Sequence, residues 1–239
     1  MMETAVILAA GRGTRMGALT SELPKPMLLL AGKPMLEHIL DRLSAAGIRR
    51  VLLVIGYRGE IIRRHFSGYP LDIEYRRQEN PDGTGSAALL AQDFAAHNPF
   101  LLTFGDILCS TADYIGLIAK LDDNAAGVLG VKYVDDPAPG AAVYEENNRV
   151  VRIVEKPPVG TSTTHWNSAG LYAFRPVLFE ELRRIPLSPR GEYELTAAIH
   201  QLIEKQSILR MHAVEQDWMD VGRPEDLSHG ERLVRGGSS

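Results

Sequence analysis

The chain has 239 residues, 45% of them hydrophobic and 23% charged, a balance that can build one sizeable core. A net charge of -4 gives a nucleic-acid backbone or an anionic membrane no overall attraction, so any anion must be held locally. The single cysteine, Cys109, excludes an intramolecular disulfide, and no Cys/His spacing suits a zinc site. No apolar run is long enough for a membrane helix and the apolar start has no basic leader, so a cytoplasmic protein without nucleic-acid or membrane partners is expected.

Runs rich in Val, Ile and Leu alternate with segments of helical period, which predicts a Rossmann-like α/β fold with a mainly parallel sheet and helices on both faces. In chain order, a strand at Ala5–Ala10 runs into a glycine-rich loop. A helix at Pro34–Ala46 follows: Met35, Leu36, Ile39, Leu40, Leu43 and Ala46 recur on one face, and Pro34 sits at a permitted first-turn position. Strands at Arg50–Ile55, Asp72–Arg76, Phe100–Phe104 and Gly127–Tyr133 enclose helices at Gly59–Phe66 and Ser86–Ala95. From about residue 135 the pattern changes, because Pro137, Pro139 and Gly140 break the chain. Short strands at Ala142–Tyr144 and Val150–Glu155, around Asn147–Asn148, predict a small antiparallel cap. Glu192–Lys205 and Pro224–Val234 read as helices, with a strand at Ile208–Val214 between them. One domain over 1–235 is expected, split at about 134/135, with a disordered tail at 236–239.

The loop Leu8-Ala9-Ala10-Gly11-Arg12-Gly13-Thr14-Arg15-Met16 follows the first strand directly. Parallel sheets put ligands beyond the carboxyl ends of their strands, and small residues at 9, 10, 11 and 13 let backbone N–H groups approach a phosphate. A dinucleotide fingerprint needs a third glycine where Met16 stands, and a Walker loop needs Gly-Lys-Ser/Thr, which is absent. Arg15 and, further on, Pro24-Lys25-Pro26-Met27 instead supply two cations beside one phosphate-sized space. A tight turn with solvated charges is the plainer reading.

Leu8 to Met16 followed by Pro24-Lys25-Pro26-Met27 resembles the signature of the sugar-phosphate nucleotidyltransferases, which include glucose-1-phosphate thymidylyltransferases and N-acetylglucosamine-1-phosphate uridylyltransferases. The resemblance continues in order through Gln78 with Gly83-Thr84-Gly85, Gly105-Asp106, Glu155-Lys156-Pro157, Asn167-Ser168-Ala169-Gly170, Glu192-Tyr193-Glu194-Leu195-Thr196 and Asp220-Val221-Gly222, over nearly the whole chain. It implies that Arg15 and Lys25 are catalytic phosphate holders and that Leu8, Ala10, Gly11, Gly13, Gln78, Gly83 and Thr84 bind the nucleotide. It implies further that Gly140, Glu155, Lys156 and Asn167 bind the sugar phosphate and that Asp106 and Asp220 hold Mg2+. On this likeness, 1–134 is the nucleotide-binding part and 135–235 the sugar-binding part. Many members have Asp after the Leu-Thr pair, but here Ala197 stands there. The length leaves no room for the left-handed helix domain of bifunctional uridylyltransferases, so no attached acetyltransferase activity is expected.

Chemistry alone leaves more open. Asp106 ends the apolar run Phe100–Gly105 and Asp220 follows Trp218-Met219, so two strands can deliver two carboxylates to magnesium, although an N-cap and a turn explain them singly. The Gln78 amide can pair with a base edge or be merely solvated beside Arg76 and Arg77, and Gly83-Thr84-Gly85 can be a base shelf or a turn. Glu155 and Lys156 point to opposite faces of a regular strand, so both can face one substrate only if a bulge or twist re-aims one of them. The expected reaction is in-line attack of a sugar-phosphate oxygen on the α-phosphorus of a nucleoside triphosphate, with UTP or dTTP favoured and pyrophosphate leaving. GTP or CTP in the same reaction, or a non-catalytic regulatory subunit that binds nucleotide-sugars, are the alternatives. A homo-oligomer is left open.

Overall fold

The computed structural model describes residues 2–214 and 217–236; residues 237–239 of the expected tail lie outside the described residues. The first half runs β1 (Thr4–Ala9), a short ribbon of β2 (Leu29–Leu30) and β3 (Lys33–Pro34), α1 (Met35–Ala45), β4 (Arg50–Ile55), α2 (Gly59–His65) and β5 (Asp72–Arg77). Next come α3 (Thr84–Leu89), α4 (Gln92–Ala95), β6 (Phe100–Phe104), β7 (Ile107–Leu108), α5 (Thr111–Lys120) and β8 (Ala125–Tyr133). The second half adds β9 (Ala141–Glu146), β10 (Arg149–Glu155), β11 (Trp166–Phe174), α6 (Val177–Leu182), α7 (Leu195–Glu204), β12 (Ile208–Ala213), β13 (Met219–Asp220) and α8 (Asp226–Val234).

Strand β1 shows why the sheet sits between two helical layers. Its successive side chains point to opposite faces: Ala5, Ile7 and Ala9 pack with α1, α2 and α5, while Val6 and Leu8 pack with α3, α4, α6 and α7. Both faces are buried, so β1, β4 and β6 are nearly continuous apolar runs, as buried parallel strands require. Helix α1 buries Met35, Leu36, Ile39, Leu40 and Leu43, each worth roughly 1.5–3 kcal/mol of transfer free energy.

The main sheet has nine strands in the order β5-β4-β1-β6-β11-β8-β12-β10-β9. The half carrying the glycine loop is parallel throughout (β5, β4, β1, β6). Beyond β6 the sheet is mixed: β11 runs against both β6 and β8, β12 lies parallel to β8, and β10 and β9 are antiparallel. The expected antiparallel addition is thus continuous with the main sheet, and it curls back on itself where Ala142 of β9 pairs with Asn167 of β11. Because β11 opposes β6, its residues 166–169 extend past the carboxyl end of β6 and onto the same rim as Asp106.

Several boundaries differ from expectation. The helix expected over Ser86–Ala95 is two short helices, interrupted around Leu90–Ala91. The one expected from Glu192 starts at Leu195, because residues 192–194 are held extended against the start of α3: Gly85 N–H donates to the Tyr193 carbonyl at 2.7 Å and Tyr193 N–H to the Asp82 carbonyl at 2.7 Å. Gly83 adopts φ 128, and a Cβ there would lie 2.3 Å from the Tyr193 carbonyl oxygen. Gly83→Ala is therefore expected to cost about 2–4 kcal/mol of stability through strain and overlap. An unchanged midpoint in chemical denaturation would refute this account of Gly83-Thr84-Gly85.

Candidate active site

The glycine loop leaves β1 at its carboxyl end and turns through a short 3-10 segment, Thr14–Thr20. Met16, at the position a dinucleotide fingerprint reserves for glycine, is 1% exposed and anchors the loop in the core. Gly13 has φ 64, and a Cβ on it would stand 2.9 Å from Lys25 Cβ, so glycine here lets the buried lysine stem pass beneath the loop. Arg15 is exposed and makes no hydrogen bond or ion pair among the described residues.

Two carboxylates face this loop. Gly105 N–H donates to the Leu8 carbonyl at 2.9 Å, which fixes Asp106 at the end of β1. Asp220 arrives from far along the chain because β13 pairs with β7, Asp220 opposite Ile107, and Val221 N–H donates to the Asp106 carbonyl at 3.0 Å. Lys25 Nζ lies 2.6 Å from Asp106 Oδ2 and 4.0 Å from Asp220 Oδ1, joining both acids. Enclosure in the cleft and the nearby Asp106 push the Asp220 carboxyl up to about 6, against the opposing pull of Lys25 and Arg15.

A cavity of about 450 Å³ opens over the loop, lined by Leu8, Ala10, Gly11, Gly13, Arg15, Lys25, Gln78, Gly83, Thr84 and Asp106 together with Thr14, Pro26, Pro81, Phe104, Glu192 and Gly222. Gln78 Nε2 donates to the Gly83 carbonyl at 3.0 Å and to Ser86 Oγ at 3.0 Å, so the amide group is held by its own loop. Thr84 has a structural task as well: its Oγ1 accepts Leu195 N–H at 3.0 Å, at the first turn of α7.

A second cavity, about 500 Å³, is lined by Gly140, Glu155, Lys156, Asn167 and Asp220, with Asp136, Tyr172 and Trp218 among the other walls. The two cavities share Arg15, Thr84, Phe104 and Asp106. Lys156 follows the last residue of β10 with φ 42, a left-handed turn that lets Glu155 and Lys156 line the same space, and its N–H donates to the Gly140 carbonyl at 2.7 Å. Burial raises the Glu155 carboxyl above its ordinary range; Arg190, 3.2 Å away, pulls it down and Glu194 pushes it up. Asn167 Oδ1 is buried without a partner among the described residues, leaving an acceptor aimed beside Gly140 for a hydroxyl donor. Ala197 packs its methyl against the core rather than facing either cavity.

The structure thus brings every candidate catalytic, nucleotide-binding, sugar-binding and metal-binding residue to one or other of two adjoining cavities. To the walls it adds Asp136, Tyr172 and Trp218, it gives Glu192 of the quoted motif a place beside the first cavity, and it sets Arg190 against Glu155 behind the second. For Arg190 and Glu192 a charge cluster around Gly191 was the available signal, whereas Tyr172 reads as an ordinary strand residue.

Comparison with known proteins bears on the same site. The nucleotidyl transferase family profile matches residues 4–235. The bifunctional protein GlmU of Methanococcus maripaludis (strain C5) is 37% identical over 226 residues, covering 93% of this chain and 52% of that protein, so the chain spans about half the length of this relative. UTP--glucose-1-phosphate uridylyltransferase AglF of Haloferax volcanii is 33% identical over 240 residues, covering 97% of this chain and 96% of that protein. A crystal structure of UDP-glucose pyrophosphorylase with UDP-glucose has the same fold, with a TM-score of 0.85 at 20% identity over 98% of this chain and 99% of that one. The chain belongs to the nucleotidyl transferase family.

Proposed function

We propose that this protein transfers a nucleotidyl group from a nucleoside triphosphate to a sugar 1-phosphate, forming a nucleotide-sugar and releasing pyrophosphate. The observation that carries the reading is the junction of the two cavities at Arg15 and Asp106, with Lys25 joining Asp106 to Asp220. One cavity then takes the triphosphate and the other the sugar phosphate, so that the reacting groups meet where the cations stand. AglF, a relative matched along nearly its whole length, is named for this reaction.

Both substrates are anions, so the protein's contribution is alignment and charge neutralisation. Arg15 and Lys25 would stabilise the charge on the transferring phosphate, and Lys156 would hold the sugar phosphate. Asn167 and Glu155 would orient the sugar through its hydroxyls, and Gln78 would favour uridine or thymidine. An ionised sugar phosphate needs no protein base. The donor set fits magnesium: Asp106 and Asp220 are hard oxygen ligands, and no group of three or more metal-binding side chains is gathered among the described residues, so phosphate oxygens and water would complete the shell. Bound there, the ion would neutralise the phosphates and lower the barrier to displacement. No described helix is long and apolar enough to cross a membrane, and the nucleotide substrate is consistent with a cytoplasmic enzyme.

The test is pyrophosphate release from each common nucleoside triphosphate against a panel of hexose and N-acetylhexosamine 1-phosphates, with and without magnesium. Turnover that needs both substrates and the metal is expected. Tight nucleotide-sugar binding with no turnover in any combination would instead favour a regulatory subunit.

A further inference from the structure

We propose that Asp82 and Ser86, neither of which lines either of the two cavities described, decide which bases the site accepts by locking the Gln78 amide in one orientation. The proposal rests on the nucleotidyl-transfer reading and sharpens it: the base must present a ring N–H to the Gln78 carbonyl oxygen.

The Gln78 amide nitrogen has two hydrogens and three acceptors around it, Gly83 O at 3.0 Å, Ser86 Oγ at 3.0 Å and Asp82 Oδ1 at 3.3 Å. Ser86 Oγ is itself 2.5 Å from Asp82 Oδ1. Because two acceptors, the Asp82 carboxylate and the Gly83 carbonyl at 2.9 Å, draw the serine proton, the hydroxyl offers its lone pair to the amide. A flipped amide would set its oxygen against a backbone carbonyl and a carboxylate, acceptor against acceptor. Both amide hydrogens are therefore consumed inside the loop, and the carbonyl oxygen is what Gln78 has left for the cavity it lines.

An acceptor-only amide sorts pyrimidines by hydrogen-bond polarity. Uracil and thymine carry N3–H, which donates to it; cytosine has a lone pair at N3, which repels it. Uracil and cytosine have nearly the same outline, so shape alone cannot separate them, whereas a buried hydrogen-bonding group discriminates strongly against a ligand that leaves it unpaired. Asp82 and Ser86 act through Gln78 and are positioning residues.

The experiment compares kcat/KM for UTP and CTP with the full chain and the best sugar 1-phosphate of the panel. The wild type is expected to favour UTP by about 100-fold or more. Asp82→Ala/Ser86→Ala removes two of the three acceptors and is expected to narrow that ratio about tenfold, with Ser86→Ala alone giving a smaller change in the same direction if the double variant is unstable. Gln78→Ala should bring the ratio close to one. A general packing defect would lower both triphosphates together and leave the ratio unmoved. Equal use of UTP and CTP by the wild type, or an unmoved ratio in folded Ser86→Ala and double variants, overturns the lock while nucleotidyl transfer stands. No turnover with any triphosphate overturns the parent reading and the lock with it.

Discussion

Lys25→Met is expected to lower kcat about a thousandfold and to weaken the fold as well. The lysine side chain is 7% exposed and lies 2.6 Å from Asp106 and 4.0 Å from Asp220. Methionine keeps the apolar stem but leaves the two carboxylates facing each other without the cation that joins them. Removing one preorganised donor from a transition-state site commonly costs about 10²–10³-fold, which reaches the expected loss at its upper end. The displaced acids add to it. Breaking a buried pair costs roughly 3–5 kcal/mol when the remaining charge is fully enclosed. Here the partners are 30% and 45% exposed, so water can compensate them and about 1–3 kcal/mol is the expected loss. Pyrophosphate-release kinetics and denaturation of the same preparation check both halves, and turnover within tenfold of wild type would remove Lys25 from the catalytic group.

Arg15→Ala is expected to separate the two effects: a loss of about 10²–10³-fold in kcat with stability held to within about 0.5 kcal/mol. Arg15 is exposed and contributes no ion pair to the fold among the described residues, yet it belongs to the wall common to both cavities. A planar guanidinium can grip two phosphate oxygens at once, so Arg15→Lys should recover only part of the rate. Full recovery with lysine would mean that a point charge suffices. A large fall in melting temperature would show that the residue supports the loop rather than the reaction.

What could be read from the sequence follows from what each signal depends on. Strands β1, β4 and β6 are apolar at all but one position each (Thr4, Arg50 and Thr103) because helices cover both faces, and α1 carries an uninterrupted apolar stripe. Such patterns are local and survive without coordinates. Strand β11 escaped because Gly170, at φ 68, sits within a register shift between Ser168 and Tyr172 that breaks the alternation. Helix α5 was missed although Ser110 and Asp113 form a capping box at its start, a cue short enough to pass unnoticed after the apolar run. Helix α6, only Val177–Leu182, is too brief to show a period.

In the site itself, residue types were legible and their company was not. Asp106 and Asp220 each end an apolar stretch, but only the pairing of β7 with β13 sets them side by side. Gln78 stood out as an amide near glycines; that its nitrogen is spoken for by Gly83, Ser86 and Asp82 emerges only from the way the loop folds back. The opposite directions expected of Glu155 and Lys156 are reconciled by one left-handed residue, a departure from regular strand geometry that composition does not announce.

The common wall of Arg15, Thr84, Phe104 and Asp106 also bears on departure from the site. On the proposed reading, each substrate is gripped at one end, whereas the joined molecule spans both chambers and must let go of two sets of contacts before it escapes. Tethering turns its second contact into an intramolecular event, so it rebinds faster than it diffuses away. An architecture that joins two repelling anions in this way is therefore expected to hold their union longer than either anion held alone by the same contacts.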